Sequence, residues 1–466
     1  MAEALAKQVE KISGRGLSSL HFLQTYAAPG RPVILEDVVP SWPCWTTWRD
    51  EQGEPNFSQL VADFKGCDGP VSDCQKRGEA PDVWDVSSYL LWAQEEDKGS
   101  DHKQLLYLKD WHLVQACRAA GKEVPYEAPA FLDSPLHDWL NLHKDTVAPG
   151  KEDYRFCYVG VKGTRTPLHH DVLFSHSWSA NICGMKHWIF YPPEVSEFLL
   201  DEHSEAAETG IPRRCDPQRF PRVAEAWEKR LEAIQYPGQL IFVPSGWYHE
   251  VENLSLAVSI NHNWLNASNA EMVWGFLLKE LEAVKRKIGD ERKNFSSEAE
   301  FLEHCQVVLQ ANSELDLEGW LSLLTTAAEE VDRRFKAQPQ GEELHEVEWV
   351  ATKLRALIER CLECPALQEL PKASASAELL RALAPEVSHV EAISEKAAQV
   401  LSGFQQKYQS MLMEHHEKFH GQQLRELELW SKNKNIQERR RQLWEQCGAR
   451  KAQLAEELED FTWSAW

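Results

Sequence analysis

No stretch of this sequence is apolar for the length a bilayer requires, and the segment from Met1 to Leu20 carries acidic and polar residues throughout. The expectation is a soluble intracellular protein, in the cytoplasm with the nucleus as the alternative. Positive charge is also in short supply: 50 Lys and Arg stand against 73 Asp and Glu, a formal net charge of −23. Such a field repels phosphate backbones and anionic lipid, so direct nucleic-acid binding and a membrane partner are disfavoured, and a basic or neutral protein partner is expected. The 11 Cys follow no disulfide framework, which predicts reduced thiols. Cys361 and Cys364 form the single C-x-x-C, and with no second pair at zinc spacing they read as two helical thiols. Internal repeats and extended low-complexity segments are missing as well, so no repeat architecture is expected.

Hydrophobic and aromatic residues are plentiful. With 43% hydrophobic residues and 19 Trp in 466 positions, the chain can bury one large core and an accessory region. Arg31-Pro-Val-Ile-Leu35 reads as a buried strand, and Trp42, Trp45 and Trp48 behind it as core. From Tyr154 to Trp264, short runs rich in Tyr, Val, Ile, Phe and Trp alternate with Gly, Pro and Ser turns, the pattern of a β-barrel or sandwich. Strands are expected at 154–161, 177–183, 186–191, 239–243 and 254–264, with 201–236 as a polar, partly helical insertion. Beyond Trp264 the period turns helical: Trp274, Leu277, Leu278, Leu281, Val284 and Ile288 share a face, and a capping box from Ser297 to Glu300 opens another helix.

Loops are expected at Gln338-Pro-Gln-Gly341 and Pro371-Lys-Ala-Ser374. No proline follows Pro385, and a capping box from Ser388 to Glu391 opens a long charged helical tract. Ile393, Ala397, Val400, Phe404 and Tyr408 give that tract a narrow apolar seam, consistent with a coiled coil or long hairpin. A packed appendage is the plainer reading, and an arm that binds a partner or self-associates is the alternative. Arg439, Arg440 and Arg441 read as its solvated face. The expected organisation is thus an N-terminal α/β region packing on the barrel (1–150), the barrel (151–266), a helical region (267–385) and a charged helical tail (386–466).

Within the β-rich stretch, Thr166-Pro-Leu-His169-His170-Asp171 presents an imidazole and a carboxylate to one side of an extended chain, with His170 facing the other way. A third ligand must come from a distant strand. His249 is the best placed, because Pro244 and Gly246 turn the chain directly after an apolar strand. Two His and one Asp leave three positions open on an octahedral ion, the arrangement of non-haem Fe(II) oxygenases. Structural zinc fits less well, since its sites are closed and tetrahedral.

A His-x-Asp by itself is common by chance, and its neighbours carry the weight. Lys186 shares a strand face with Trp188 and Phe190, so its ammonium leaves an apolar wall and calls for an anion. A lysine snorkelling to solvent at a strand end is the alternative. In the last strand Leu256, Val258, Ile260, His262 and Trp264 alternate with Ser255, Ala257, Ser259, Asn261 and Asn263. The second set forms a small polar face, suited either to a cavity holding a polar ligand or to the wet side of a sheet.

Taken together these segments resemble the JmjC family of 2-oxoglutarate oxygenases. The resemblance also takes in Tyr107-Leu-Lys-Asp-Trp-His112, Asp153-Tyr-Arg-Phe156, Trp178-Ser-Ala-Asn-Ile-Cys-Gly-Met-Lys186-His-Trp188, Phe242-Val-Pro-Ser-Gly-Trp-Tyr-His249 and Ser259-Ile-Asn-His-Asn-Trp264. It implies an α+β fold whose core is a double-stranded β-helix, a cupin-type jelly roll, with N-terminal helices and a C-terminal helical region. It implies Fe(II) at His169, Asp171 and His249, which would be the catalytic centre. The distal carboxylate of 2-oxoglutarate is implied at Lys186, Thr166 and Tyr107, with Asn261 as a further contact. O2 is the implied co-reactant and ascorbate a reductant. Ser179 stands where the family often has Asn, so that contact is not carried over.

Within the family, the Tyr-Leu-Lys-Asp-Trp-His and Ser-Ile-Asn-His-Asn-Trp runs are most similar to a branch that hydroxylates lysine in the eukaryotic translation release factor and promotes termination. The resemblance thereby implies a protein substrate. A histone lysine demethylase, a nucleic-acid hydroxylase and a non-catalytic cupin scaffold are the competing readings. The first commonly carries chromatin-reader or zinc modules that are not visible here, the second is opposed by the net charge, and the third by an intact triad with its lysine.

Overall fold

A computed structural model of the chain describes residues 7–370, apart from positions 77, 100–103, 151–152 and 369. The expected loop at 371–374, the capping box at Ser388, the seam from Ile393 to Tyr408, the arginines 439–441 and the tail 386–466 lie outside the described residues.

Eight strands between Arg155 and Trp264 build two facing sheets. Leu240–Val243, His176–Cys183, Ala257–Trp264 and Arg155–Gly160 pair in that order in one sheet, while Leu231–Gln235, Lys186–Tyr191, Tyr248–Asn253 and Arg165–His169 pair in the other. Except at one step, consecutive strands change sheet, which is the winding of a jelly roll. Trp188, Phe190 and Ala233 from one sheet pack with Ile34, Ile241 and Val243 from the other, so this apolar cluster closes one end of the roll.

Alternation decides the rest. Trp178, Ala180, Ile182, Val258 and Ile260 point out of the roll into a second core under the N-terminal region. Their strand neighbours Ser177, Ser179, Asn181, Ser259, Asn261 and Asn263 therefore point in.

Two expectations need correction. The strand expected at 254–264 begins at Ala257, because Leu254 and Ser255 make the turn that receives Met185: its backbone N–H donates to Ser255 Oγ, and the Leu254 N–H donates to the Met185 carbonyl. The segment 201–236 is not wholly an insertion. It holds the helix Val223–Lys229, but its end, Leu231–Gln235, is a barrel strand paired with Lys186–Tyr191. Its sequence Leu-Glu-Ala-Ile-Gln is short of β-branched and aromatic residues, and pairing rather than propensity makes it a strand.

The N-terminal region extends the sheets directly. Val33–Glu36, expected from the Arg31-to-Leu35 run, pairs with Leu240–Val243, and Leu106–His112 pairs with Arg155–Gly160. The first described residues stitch both sheets along one side: Lys7–Gln8 lies parallel to Leu231–Gln235, and Glu10–Ser13 lies parallel to Val33–Glu36, with Val9 buried at the crossing. Trp42 and Trp48 are buried, whereas Trp45 lies partly exposed under the Arg49 guanidinium.

The helices after the roll follow the sequence closely. Ala270–Lys287 buries Trp274, Leu277, Leu281 and Val284 against Glu298–Ser313, Leu317–Lys336 and Gly341–Leu362, with Trp274 stacked on Trp320 at 6.0 Å. The expected cap forms in part: Ser297 Oγ accepts from the Glu300 N–H, while the Glu300 carboxylate accepts from the N–H of Ser296, one residue before the N-cap. Cys361 lies buried in its helix, but Cys364 falls just beyond the helix end. No helix among the described residues is long and apolar enough to cross a membrane.

Candidate active site

His169 ends its strand directly opposite His249 of the neighbouring strand, and the two rings lie 4.2 Å apart. The chain stays extended past the last paired residue, so Asp171 (φ −66°, ψ 153°) returns to the side of His169. One ligand atom from each of His169, Asp171 and His249 lies within 4.8 Å of the others. A turn holds His249 there: Gly246 has φ +82°, and a side chain at this position would meet Met272 and Phe174.

Hydrogen bonds fix which atoms are left free. His169 Nδ1 donates to the Pro167 carbonyl (2.7 Å) and His249 Nδ1 to the Trp247 carbonyl (3.2 Å). A carbonyl can only accept, so each Nδ1 carries the proton and each Nε2 keeps its lone pair. Burial, followed by the neighbouring His249, lowers the His169 pKa to about 4, and burial lowers that of His249 as well, so both rings are neutral near pH 7. Ser177 Oγ donates to Asp171 Oδ2 (2.8 Å) and Asn263 Nδ2 to Oδ1 (3.0 Å), which orients the carboxylate. Trp188 and Phe190 flank the His249 ring at 5.8 and 5.9 Å. His170 sits elsewhere, ringed by Phe174, Tyr248 and Phe276.

Lys186 is 2% exposed. Its Nζ donates to one hydroxyl oxygen, Ser259 Oγ at 2.7 Å, and lies 5.8 Å from the centre of the Tyr158 ring. Burial pushes its pKa down to about 7, and among the described residues no carboxylate pairs with it. The polar face of the last strand thus runs from one charge to the other. Ser259 holds Lys186, Asn261 accepts from Ser179 Oγ (3.1 Å), and Asn263 holds Asp171.

Tyr107 joins the lysine end, with its ring 5.9 Å from that of Tyr158. Thr166 lies on the same sheet as Lys186, two strands away and opposite Val251, which in turn pairs with Trp188. Sequence reasoning missed the roles of Ser177 and Tyr158. The Ser-x-Ser alternation in the strand His176–Cys183 was a usable signal for Ser177, whereas Tyr158 looked like any aromatic core residue.

Residues 85–270 match the family model of the cupin-like domain. The chain is 37% identical over 314 residues to the 2-oxoglutarate and iron-dependent oxygenase JMJD4 of Danio rerio, covering 66% of this chain and 72% of that protein. It is 34% identical over 315 residues to the Homo sapiens protein of the same name, covering 66% and 73%. To the arginine-specific demethylase JMJ20 of Arabidopsis thaliana it is 36% identical over 336 residues, covering 68% and 70%.

Proposed function

This chain belongs to the cupin-like JmjC oxygenase family, and we propose that it is a 2-oxoglutarate- and Fe(II)-dependent protein hydroxylase whose target is lysine in the eukaryotic translation termination release factor. The observation that carries the oxygenase reading is the buried Lys186, which no carboxylate among the described residues meets, at one end of a polar face whose other end orients Asp171 beside two neutral imidazoles. Two nitrogens and a carboxylate, each with a lone pair to give, fit a ferrous ion that keeps positions open. A buried ammonium fits a dicarboxylate cosubstrate.

When bound, iron with 2-oxoglutarate and dioxygen supplies the oxidising power: one oxygen atom enters a substrate C–H bond, and the other accompanies decarboxylation of 2-oxoglutarate to succinate and carbon dioxide. The chain's own part is positioning. His169 and His249 would present Nε2, Asp171 one carboxylate oxygen, and Ser177 and Asn263 keep that carboxylate from rotating. Lys186, steadied by Ser259, would hold the distal carboxylate together with Thr166 and Tyr107, with Asn261 as a further contact. Trp188 and Phe190 exclude water beside His249. Ascorbate is the expected reductant for restoring the ferrous state.

Anaerobic titration with ferrous iron and 2-oxoglutarate should give the visible charge-transfer band of the chelate; its absence rejects the oxygenase reading. Mass spectrometry of the release factor from cells with and without this protein should show one added oxygen on lysine. A band without that oxygen rejects the substrate alone. Arginine demethylation is the second reading, favoured by the similarity to JMJ20, and would show as loss of a methyl group from arginine.

A further inference from the structure

The helix Ala270–Lys287 buries one face, but Met272, Phe276 and Glu280, spaced four residues apart, form a stripe along another. This stripe runs beside the metal-ligand loops. Phe276 stacks flat on Phe174 (5.5 Å, 3° between planes), three residues after Asp171. Both rings are half-buried, and Met272 is 41% exposed. Phe174 is aimed there by an unusual backbone: Leu173 and Phe174 have φ of 56° and 57°, a left-handed pair that residues with large side chains rarely adopt. Tyr248, adjacent to His249, completes the ledge on the far side of the His170 ring.

Glu280 stands at the end of this aromatic ledge. It is half-buried, and among the described residues no cation or hydrogen-bond donor meets its carboxylate. Burial raises its pKa, and its charge in turn helps to push the Tyr248 phenol up to about 12, after the larger effect of burial on that phenol. Aromatic faces that end on a lone carboxylate suit a cation: the rings attract it, and the carboxylate pairs with it. A hydrocarbon side chain would leave the carboxylate desolvated with nothing gained. His170 lies between His169 and Asp171 in the chain with its ring turned the other way, so the ledge flanks the ligand-bearing segment on the face opposite the proposed ligands.

We propose that Phe174, Phe276, Tyr248 and Glu280 form a docking subsite for a basic side chain, lysine or arginine, of the polypeptide substrate. The proposal rests on the protein-hydroxylase reading for its purpose and names the substrate class at that site. The overall charge of −23 acts in the same direction, drawing basic segments toward the surface.

The test uses the full chain with iron and 2-oxoglutarate omitted, so its failure and that of the oxygenase reading are separable. Ligand-observed NMR compares a glycine-serine peptide carrying one central lysine with the same peptide carrying norleucine or glutamate. The lysine peptide should bind about ten-fold more tightly than the norleucine peptide. Glu280→Gln should close most of that gap, and Phe276→Leu should weaken lysine binding about three-fold while sparing norleucine binding. Glu280→Lys should turn the preference toward the glutamate peptide. Melting curves of each variant exclude misfolding. Equal binding of lysine and norleucine peptides, a gap that survives Glu280→Gln in a folded variant, or no binding of any peptide overturns the proposal.

Discussion

Two clusters in this fold bring together imidazoles and carboxylates at similar spacing, and they are not equivalent. In one, His169, Asp171 and His249 converge; in the other, Asp133, Asp138 and His262 lie within the same 4.8 Å of one another. In the first, both imidazoles turn a protonated Nδ1 to backbone carbonyls and keep Nε2 free. In the second, the Tyr126 hydroxyl takes His262 Nε2, and Trp178 stacks on the ring at 4.1 Å. Asp138 caps the helix Trp139–Val147 by accepting from the N–H (3.0 Å) and side chain (2.6 Å) of Asn141. Among the described residues His262 Nδ1 has no hydrogen-bond partner, but the positive charge a metal would bring is already supplied by Arg155, which lowers the His262 pKa after the larger effect of burial. Residue type and proximity therefore do not make a metal centre. The charge and the hydrogen bonds already present around each cluster count as well.

The sharpest way to break this contrast is paired substitution. Asp171→Ala should cut iron affinity by at least about 100-fold and abolish succinate release, since it removes a ligand and not merely a ligand's support. Asp138→Ala should leave iron per chain unchanged by elemental analysis, while lost capping costs about 1 kcal/mol or more in denaturant unfolding. Iron lost from the Asp138 variant would erase the distinction.

Lys186 gives the next largest effect. Lys186→Met should weaken 2-oxoglutarate binding about 100-fold by calorimetry, the scale of a lost charged hydrogen bond, and yet raise the melting temperature of the apoprotein. The sign follows from the depressed pKa, about 7 in the fold against 10.5 for the free side chain. Between those values the unfolded chain binds the extra proton, so apoprotein stability should rise with pH across that window in wild type and stay flat in the variant. Cosubstrate affinity should move the other way. Below pH 7 the ammonium is ready, and above it binding must draw in a proton, so affinity should fall by up to about ten-fold per pH unit. A pH-independent affinity would mean the distal carboxylate sits elsewhere. The smallest effect is expected for Asn263→Ala, about a ten-fold loss of iron affinity that saturating iron restores.

The sequence was most legible where one local rule governed. Period-two alternation placed Ser259, Asn261 and Asn263 on one face, and period 3.6 placed the helix from Ala270 to Lys287. The shared side of His169 and Asp171 followed from their two-residue spacing, while their reading as ligands leaned on the neighbouring segments. Leu231–Gln235 was not legible, because its identity as a strand comes from hydrogen bonds to Lys186–Tyr191 and not from its own residues. Nor were the hydrogen bonds from the His169 and His249 Nδ1 atoms to backbone carbonyls, which depend on the path of chain the sequence does not spell out. The ledge of Phe174 and Phe276 was hidden for a similar reason, since two consecutive left-handed residues without glycine have no sequence signature.

The seam made by residues 7–13 bears on how this protein can be handled. A fragment begun at residue 85, where the cupin-like match starts, would discard that seam together with Val33–Glu36. Leu231–Gln235 and Leu240–Val243 would then each present bare N–H and C=O groups along one flank, an invitation to self-association. Recombinant boundaries chosen by homology would tear the fabric at its hem, and the amino-terminal strands belong in any soluble preparation of the roll.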